Sequence, residues 1–242
     1  NDCLERNLKV LGIDTATMMG SIGLVDDDAV IAEYSLNIKA THSERLMPAI
    51  DKLLKDAGID LKDIDGFAVS IGPGSFTGLR IGLATIKGFA MGCSKPITAV
   101  STLEALAFNI AFAEHQVCPI LNARRNEVYT ALFKSDRKGG MKRIAHDRAA
   151  NISTVLSELN DDTIFLGDAV NLYRDIILEK LKDKAHFAAK TINMPSGAYV
   201  AELGLLKLKK GMIEDASSLM PFYISRPEAE INLEKKNLAL RG

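Results

Sequence analysis

Cysteine is scarce in this chain. It has three, Cys3, Cys93 and Cys118, an odd number without regular spacing, which argues against a disulfide framework. Histidine is scarce too: His42, His115, His146 and His186. No two of them stand at a metal-ligand spacing and there is no Cys-x-x-Cys, so no metal site is expected. Net charge is also missing, since 30 Lys and Arg offset 31 Asp and Glu. So even a balance, with its basic residues scattered, provides no electrostatic footprint for nucleic acid or a membrane surface. No apolar run is long enough to span a bilayer, because the longest candidates carry Lys87 or Glu104. Nothing near the start reads as a secretory signal. These absences set the expectation of a cytoplasmic protein with reduced thiols.

What is present is an ordinary globular composition, 47% hydrophobic and 25% charged over 242 residues. That length fits one large domain or two modest ones, and buries roughly 70–75% of the unfolded surface without staples. Residues 8–15 form a nearly continuous apolar stretch ending in Asp14-Thr15, the pattern of a strand buried on both faces. Residues 19–25 and 29–36 are the next two strands, joined by Asp26-Asp27-Asp28, whose carboxylates suit a tight turn. Thr41-His42-Ser43-Glu44 predicts a capping box. The helix behind it carries Leu46, Met47, Ile50, Leu53, Leu54 and Ala57 at helical spacing, and Gly58 stops it. Pro48 removes one backbone bond inside this helix, so a kink or an irregular first turn is expected. Residues 64–71 read as a strand, 77–93 as a helix and 96–100 as a strand. Ser101-Thr102-Leu103-Glu104 then caps a helix to about Ala113. Three strands followed by helix, strand, helix, strand and helix is the order of a ribonuclease-H-like half.

The second half echoes the first more loosely. Residues 117–122 and 128–133 read as strands around Arg124-Arg125-Asn126, and Lys138-Gly139-Gly140 turns the chain so that 142–146 pairs back. Helix over 152–159, strand over 163–167 and helix over 172–181 follow. A last helix over 196–210 is stopped by Gly211. A duplicated fold is plausible on topology, although no direct repeat is visible. The tail from Arg226 onward is polar and charged, and is expected to fray or to be ordered by a partner.

Chemistry concentrates in two places. Asp14-Thr15 ends the first strand, where open α/β sheets place ligands; the plain alternative is an Asp that caps backbone N–H groups. The run Gly72-Pro73-Gly74-Ser75-Phe76-Thr77-Gly78-Leu79-Arg80-Ile81-Gly82 joins strand to helix. It is neither a Walker loop nor a dinucleotide loop, having no closing Lys-Ser/Thr pair and no Gly-x-Gly-x-x-Gly. Its Gly72, Gly74, Ser75 and Thr77, with Asp14 and Thr15, are candidates to hold an anion or nucleotide at a helix start, and Ser75 and Thr77 serve equally as caps. The helix that follows is apolar on most faces. Gly78 and Gly82 lie one turn apart, as do Ala84, Gly88 and Gly92. Glycine inside a helix costs about 1 kcal/mol relative to alanine, so close packing of another backbone has to offset it. Leu79, Leu83 and Ile86 occupy its other faces. Core packing between the two halves would explain this. The spacing favours a partner contact, with the 41–57 helix and its Leu46, Met47, Ile50 and Leu53 alongside.

Several motifs together resemble the TsaB (YeaZ) family: Ile13-Asp14-Thr15-Ala16-Thr17, His42-Ser43-Glu44-Arg45-Leu46-Met47-Pro48, the glycine run from Gly72 to Ala84, Asn122-Ala123-Arg124-Arg125-Asn126-Glu127-Val128-Tyr129 and Pro221-Phe222-Tyr223-Ile224-Ser225-Arg226. The first half matches closely, the second in patches. The resemblance implies an α/β protein of two ribonuclease-H-like lobes in the actin/Hsp70-like (ASKHA) fold. Residues 1–100 would be the first lobe and 101–225 the second, its last helices packing back on the first, with a polar tail over 226–242. It further implies a non-catalytic partner of TsaD. TsaD transfers a threonylcarbamoyl group to the adenosine beside the anticodon of tRNAs reading codons that start with A. The small ATPase TsaE takes part, TsaB alone forms homodimers, and tRNA is met through the complex. Both assemblies would use the two first-lobe helices, and ATP or ADP would sit, if anywhere, at the interface of the assembled complex. TsaD-like proteins carry a His-x-x-x-His metal pair where this chain has Thr102 and Leu106, so metal-dependent transfer and catalytic residues are not expected. The family's second-lobe turn usually begins with Asp, and this chain has Asn122, which weakens phosphoryl-transfer chemistry. The competing reading is an actin-fold ATPase or small-molecule kinase using Asp14 and the loop from Gly72 to Gly78.

Overall fold

The structure, a computed structural model, describes residues 7–38, 41–124 and 126–224. Residues 225–242, including the polar tail, lie outside them, as do Cys3 and Arg125.

β1 (Val10–Asp14) is buried at every position, as an apolar strand covered on both faces must be. It pairs antiparallel with β2 (Gly20–Val25), which pairs antiparallel with β3 (Val30–Leu36). Asp26 accepts the N–H groups of Asp28 (3.0 Å) and Ala29 (2.9 Å) and so makes the turn between them. On its other side β1 runs parallel to β4 (Gly66–Gly72), and β4 to β5 (Ile97–Ser101). The order is β3-β2-β1-β4-β5. The second sheet repeats it strand for strand. β6 (Gln116–Arg124), β7 (Glu127–Ser135) and β8 (Met141–Asn151) form the meander. β9 (Thr163–Leu166) and β10 (Ala185–Phe187) add parallel strands on the far side, giving β8-β7-β6-β9-β10. β8 is longer than its sequence pattern predicts because it follows β7 along its whole length through two register shifts.

Side-chain alternation in the first sheet separates two layers. Leu11, Ile13, Ile22 and Leu24 face a core shared with Leu46, Ile50 and Leu53 of α1 (His42–Ala57) and with Leu83 and Ile86 of α2 (Phe76–Cys93). α1 contains Pro48 within its span. Gly58 ends α1 in the left-handed conformation at φ 65°, donating to Leu54 and Lys55 carbonyls. On the opposite face Val10 and Val25 meet α6 (Gly197–Lys209). Here helix and sheet touch through backbone: a Cβ on Gly12 would lie 2.3 Å from the Ala201 nitrogen, and one on Gly23 2.2 Å from that of Ala198. The last helix among the described residues thus covers the first sheet.

α3 (Thr102–Phe108) is capped by Ser101, which accepts the Glu104 N–H, and it lies between the two layers. Ala105 and Phe108 join the α6 core, while Leu103, Leu106 and Ala107 join Val117, Leu121 and Phe133 of the second sheet. It ends five residues short of the predicted Ala113. Asn109 donates to the carbonyls of Ile192 and Met194, both at 2.8 Å, and the chain tightens into i→i+3 turns. α4 (Ile152–Glu158) and α5 (Val170–Leu181) cover the outer face of the second sheet.

Beyond Gly211 the chain returns along α2 as an extended strap. Glu214 bonds Ile97 (2.8 Å), Lys87 donates to the carbonyls of Ser217 (3.2 Å) and Leu219 (3.1 Å), and the Phe222 N–H reaches the Ile71 carbonyl at 2.7 Å.

Candidate functional site

The ends of β1 and β4 meet under the glycine loop, as the sequence expectation requires, but the groups are spent on one another. Asp14 is fully buried; it accepts a short hydrogen bond from Ser70 and the Ala16 N–H at 3.0 Å. Burial pushes its carboxyl up to about 6, against the pull of those two donors. Thr15 is also fully buried, and its hydroxyl donates to the Gly78 carbonyl at 2.8 Å. The Ser75 N–H donates to Ala16 (2.7 Å), and the Gly78 N–H to the Ser75 hydroxyl (3.2 Å), so Ser75 acts as the helix cap. Gly74 sits where a Cβ would lie 2.5 Å from the Ala16 carbonyl oxygen. Thr77 is exposed on the first turn. Gly72 has φ 129°, and a Cβ there would collide with the Phe222 carbonyl at 2.3 Å. The late Phe222-Tyr223 motif thus closes over the early glycine motif. Tyr223 stacks on Phe76 at 4.8 Å and accepts from Arg80 at 3.0 Å.

His42 and Arg45 brace the same corner. Arg45 donates to the carbonyls of Leu36 and Ile38, both at 3.1 Å, to that of Met18, and to His42 Nδ1 at 3.0 Å. His42 Nδ1 is therefore the acceptor, and Nε2–H donates to the Thr17 carbonyl at 2.8 Å. Burial holds this imidazole below its usual range, in agreement with a neutral ring.

The small-residue series on α2 divides between two faces. Gly78 and Gly82 point inward: a Cβ would come 2.0 Å from the Thr15 carbonyl and 2.3 Å from the Thr15 hydroxyl. Their smallness is explained by Thr15, just after the chain's own first strand. Leu79, Leu83 and Ile86 are core, as are Leu46, Ile50 and Leu53 of α1. Of the ten residues expected at a contact, Met47 and Gly88 are exposed. Nothing lies within 4 Å of a Cβ built on Gly88 or Gly92. With Ala84 they form an open stripe of small residues on α2, flanked by the 64% exposed Met91.

In the second lobe a carboxylate stands next to Asn122. The Asn122 N–H donates to Asp168 at 2.8 Å. Asp168 follows Gly167, which has φ 116° and, like Gly72, ends the strand parallel to the central one. The pair Gly167-Asp168 after a short strand was the available signal for it. Thr102 and Leu106 are both fully buried. The histidines that look isolated in sequence are not all isolated in space: ligand atoms of His115, Asp162 and His186 lie within 4.8 Å of one another. Cys118 is buried and Cys93 half-buried, both as free thiols. Among the described residues no helix is long and apolar enough to cross a membrane.

Two duplicated lobes around buried sheet ends define a protein of the actin/Hsp70-like class. The same fold is found in component A of (R)-2-hydroxyglutaryl-CoA dehydratase from Acidaminococcus fermentans (TM-score 0.51, 12% identity, covering 84% of this chain and 99% of that one). A family model described as TsaD, tRNA N6-adenosine threonylcarbamoyltransferase, matches residues 29–233. The tRNA threonylcarbamoyladenosine biosynthesis protein TsaB of Bacillus subtilis (strain 168) is 34% identical over 226 residues, 92% of this chain and 96% of that protein. YeaZ from Pseudomonas aeruginosa superposes with a TM-score of 0.76 at 25% identity, covering 89% of this chain and 99% of that one. The chain belongs to the TsaB (YeaZ) family, with a TsaD-like domain.

Proposed function

We propose that this protein acts in threonylcarbamoyladenosine synthesis on tRNA as a non-catalytic partner of a TsaD homologue, with a TsaE homologue as the third component. Its family membership, shared with proteins named for that biosynthesis, supports the pathway. The observation that carries the accessory role is the pair Thr102 and Leu106. By the resemblance they stand where TsaD-like proteins carry their two imidazoles, and both are buried in the core, where a hydroxyl and an isobutyl group cannot replace two histidines on one helical face. The transferred group would go to the adenosine beside the anticodon in tRNAs reading codons that start with A, with tRNA bound through the complex. The partner surface in this reading is the exposed side of α1 and α2, centred on Met47, Ala84, Gly88 and Met91. The small residues Ala84 and Gly88 let another backbone approach closely while Met47 and Met91 offer apolar contact, and the same surface would serve a homodimer when the chain is alone.

Reconstitution with cognate TsaD and TsaE homologues tests both parts. tRNA modification is expected to depend on this chain. Gly88→Arg is expected to abolish co-elution with the TsaD homologue without lowering the melting temperature, because open space surrounds that position and arginine is a better helix former than glycine. Undiminished modification without the chain would sink the accessory role; unchanged co-elution of Gly88→Arg would move the contact elsewhere.

A further inference from the structure

The amino ends of three neighbouring parallel strands carry an imidazole, a carboxylate and a second imidazole. Gln116 of β6 pairs with Thr163 of β9, and Ala185 of β10 pairs with the same residue. His115 and Asp162 each stand one residue before those paired positions, and His186 one after. The three come from positions far apart in the chain, and only the strand register gathers them. This is the opposite end of the second sheet from Asn122 and Asp168, and so is separate from the glycine loop.

We propose that His115, Asp162 and His186 form a binding site for a borderline divalent cation such as zinc. Two imidazole nitrogens and one carboxylate are a donor set that suits such ions. Their ligand atoms already lie within 4.8 Å of one another. His186 Nε2 is 2.8 Å from Asp162 Oδ1, and the two imidazoles stack at 4.8 Å with 11° between their planes. Bonds of about 2.1 Å in a tetrahedral shell set donors about 3.4 Å apart. Closure needs the two rings to swing out of their stack, and both are partly solvent-exposed, which leaves room for the turn. The base is rigid: Gln116 donates to the Thr163 hydroxyl at 2.8 Å, locking β6 to β9 beside the cluster.

His115 and His186 also line a cavity of about 1000 Å³, whose other walls include Phe108, Tyr199 and Glu202. Three protein donors leave a fourth coordination position, and since two of the three line that cavity, water or a small anionic ligand would take it.

The test uses the full-length chain with any affinity tag removed. Zinc is titrated in competition with a chromophoric chelator, and cobalt(II) is added separately to read its visible d–d bands. One equivalent of zinc should bind per chain. His115→Ala and His186→Ala should each weaken it by more than about tenfold, the loss that even an outer-shell partner produces. Asp162→Asn should weaken it too, and His146→Ala should leave it unchanged. Because the side chains are partly exposed, all four variants should melt close to the parent, and zinc should raise the melting temperature of the parent and of His146→Ala alone. Binding equally strong in the triad variants, or no stoichiometric binding in the parent, would overturn the site.

Discussion

At Asp14, burial and hydrogen bonding pull in opposite directions, and burial prevails. The carboxyl sits near 6 in the folded chain against an ordinary value of 3.8. The folded state therefore holds a proton that the unfolded state has lost between those values. Stability is greatest below about pH 4 as far as this group is concerned, falls as pH rises to about 6, and is level above that. Two units correspond to about 3 kcal/mol. Asp14→Asn should lack this term, so its stability relative to the parent should rise by about that amount between pH 4 and pH 7, measured by urea denaturation at several pH values. Parallel curves would mean that Asp14 is not desolvated. The strand-end carboxylate was legible in sequence because an apolar run stopped at it. Its donor Ser70 was not, being 56 residues away, and neither was the role of Arg45, since a guanidinium in a charged helix reads as solvated until three carbonyls are found around it.

At the scale of one element, α2 shows how one series of small residues can serve two different surfaces. Gly82 and Gly88 are six residues apart, which is about 240° around a helix, so they cannot share a face. The first meets Thr15 and the second meets open space. Gly82→Ala should destabilise the monomer by about 1–3 kcal/mol through overpacking, whereas Gly88→Ala should stabilise it by up to about 1 kcal/mol through helix propensity. Thermal denaturation of the two variants decides between them, and equal effects would refute the division into faces. The capping sequences before α1 and α3 located both helix starts. The early end of α3 could not be seen, because it depends on two carbonyls more than 80 residues away that Asn109 binds.

Across the whole molecule, the alternation of strands and helices made a second meander, helix, strand and helix legible, but not the three-residue β10 that completes the second sheet; the class of fold came from the motifs that resemble the family. The repeat is confirmed by the matched positions of Gly72 and Gly167 more than by any run of identical residues. Asp14 and Thr15, the buried pair that could have met a nucleotide, are committed to Ser70, Ala16 and Gly78, and the Ser75 hydroxyl to capping α2. Isothermal titration of the isolated chain with ATP and magnesium should accordingly show no tight binding. Saturable one-to-one binding, lost in Asp14→Ala, would restore the kinase or ATPase reading.

Local order in this protein follows from neighbouring residues: alternation makes the strands, Thr, Ser and Asp start or turn the elements, and Gly58 stops α1, because those hydrogen bonds close within a few positions of the chain. Apolar periodicity also says which faces must be covered. It does not say by what, since the hydrophobic effect is non-directional and any apolar surface would serve. Register and helix crossing settled that: Thr15 lies against Gly78 and Gly82, Phe222 over Gly72, α6 over Gly12 and Gly23, and His115 with Asp162 and His186 at one end of a sheet.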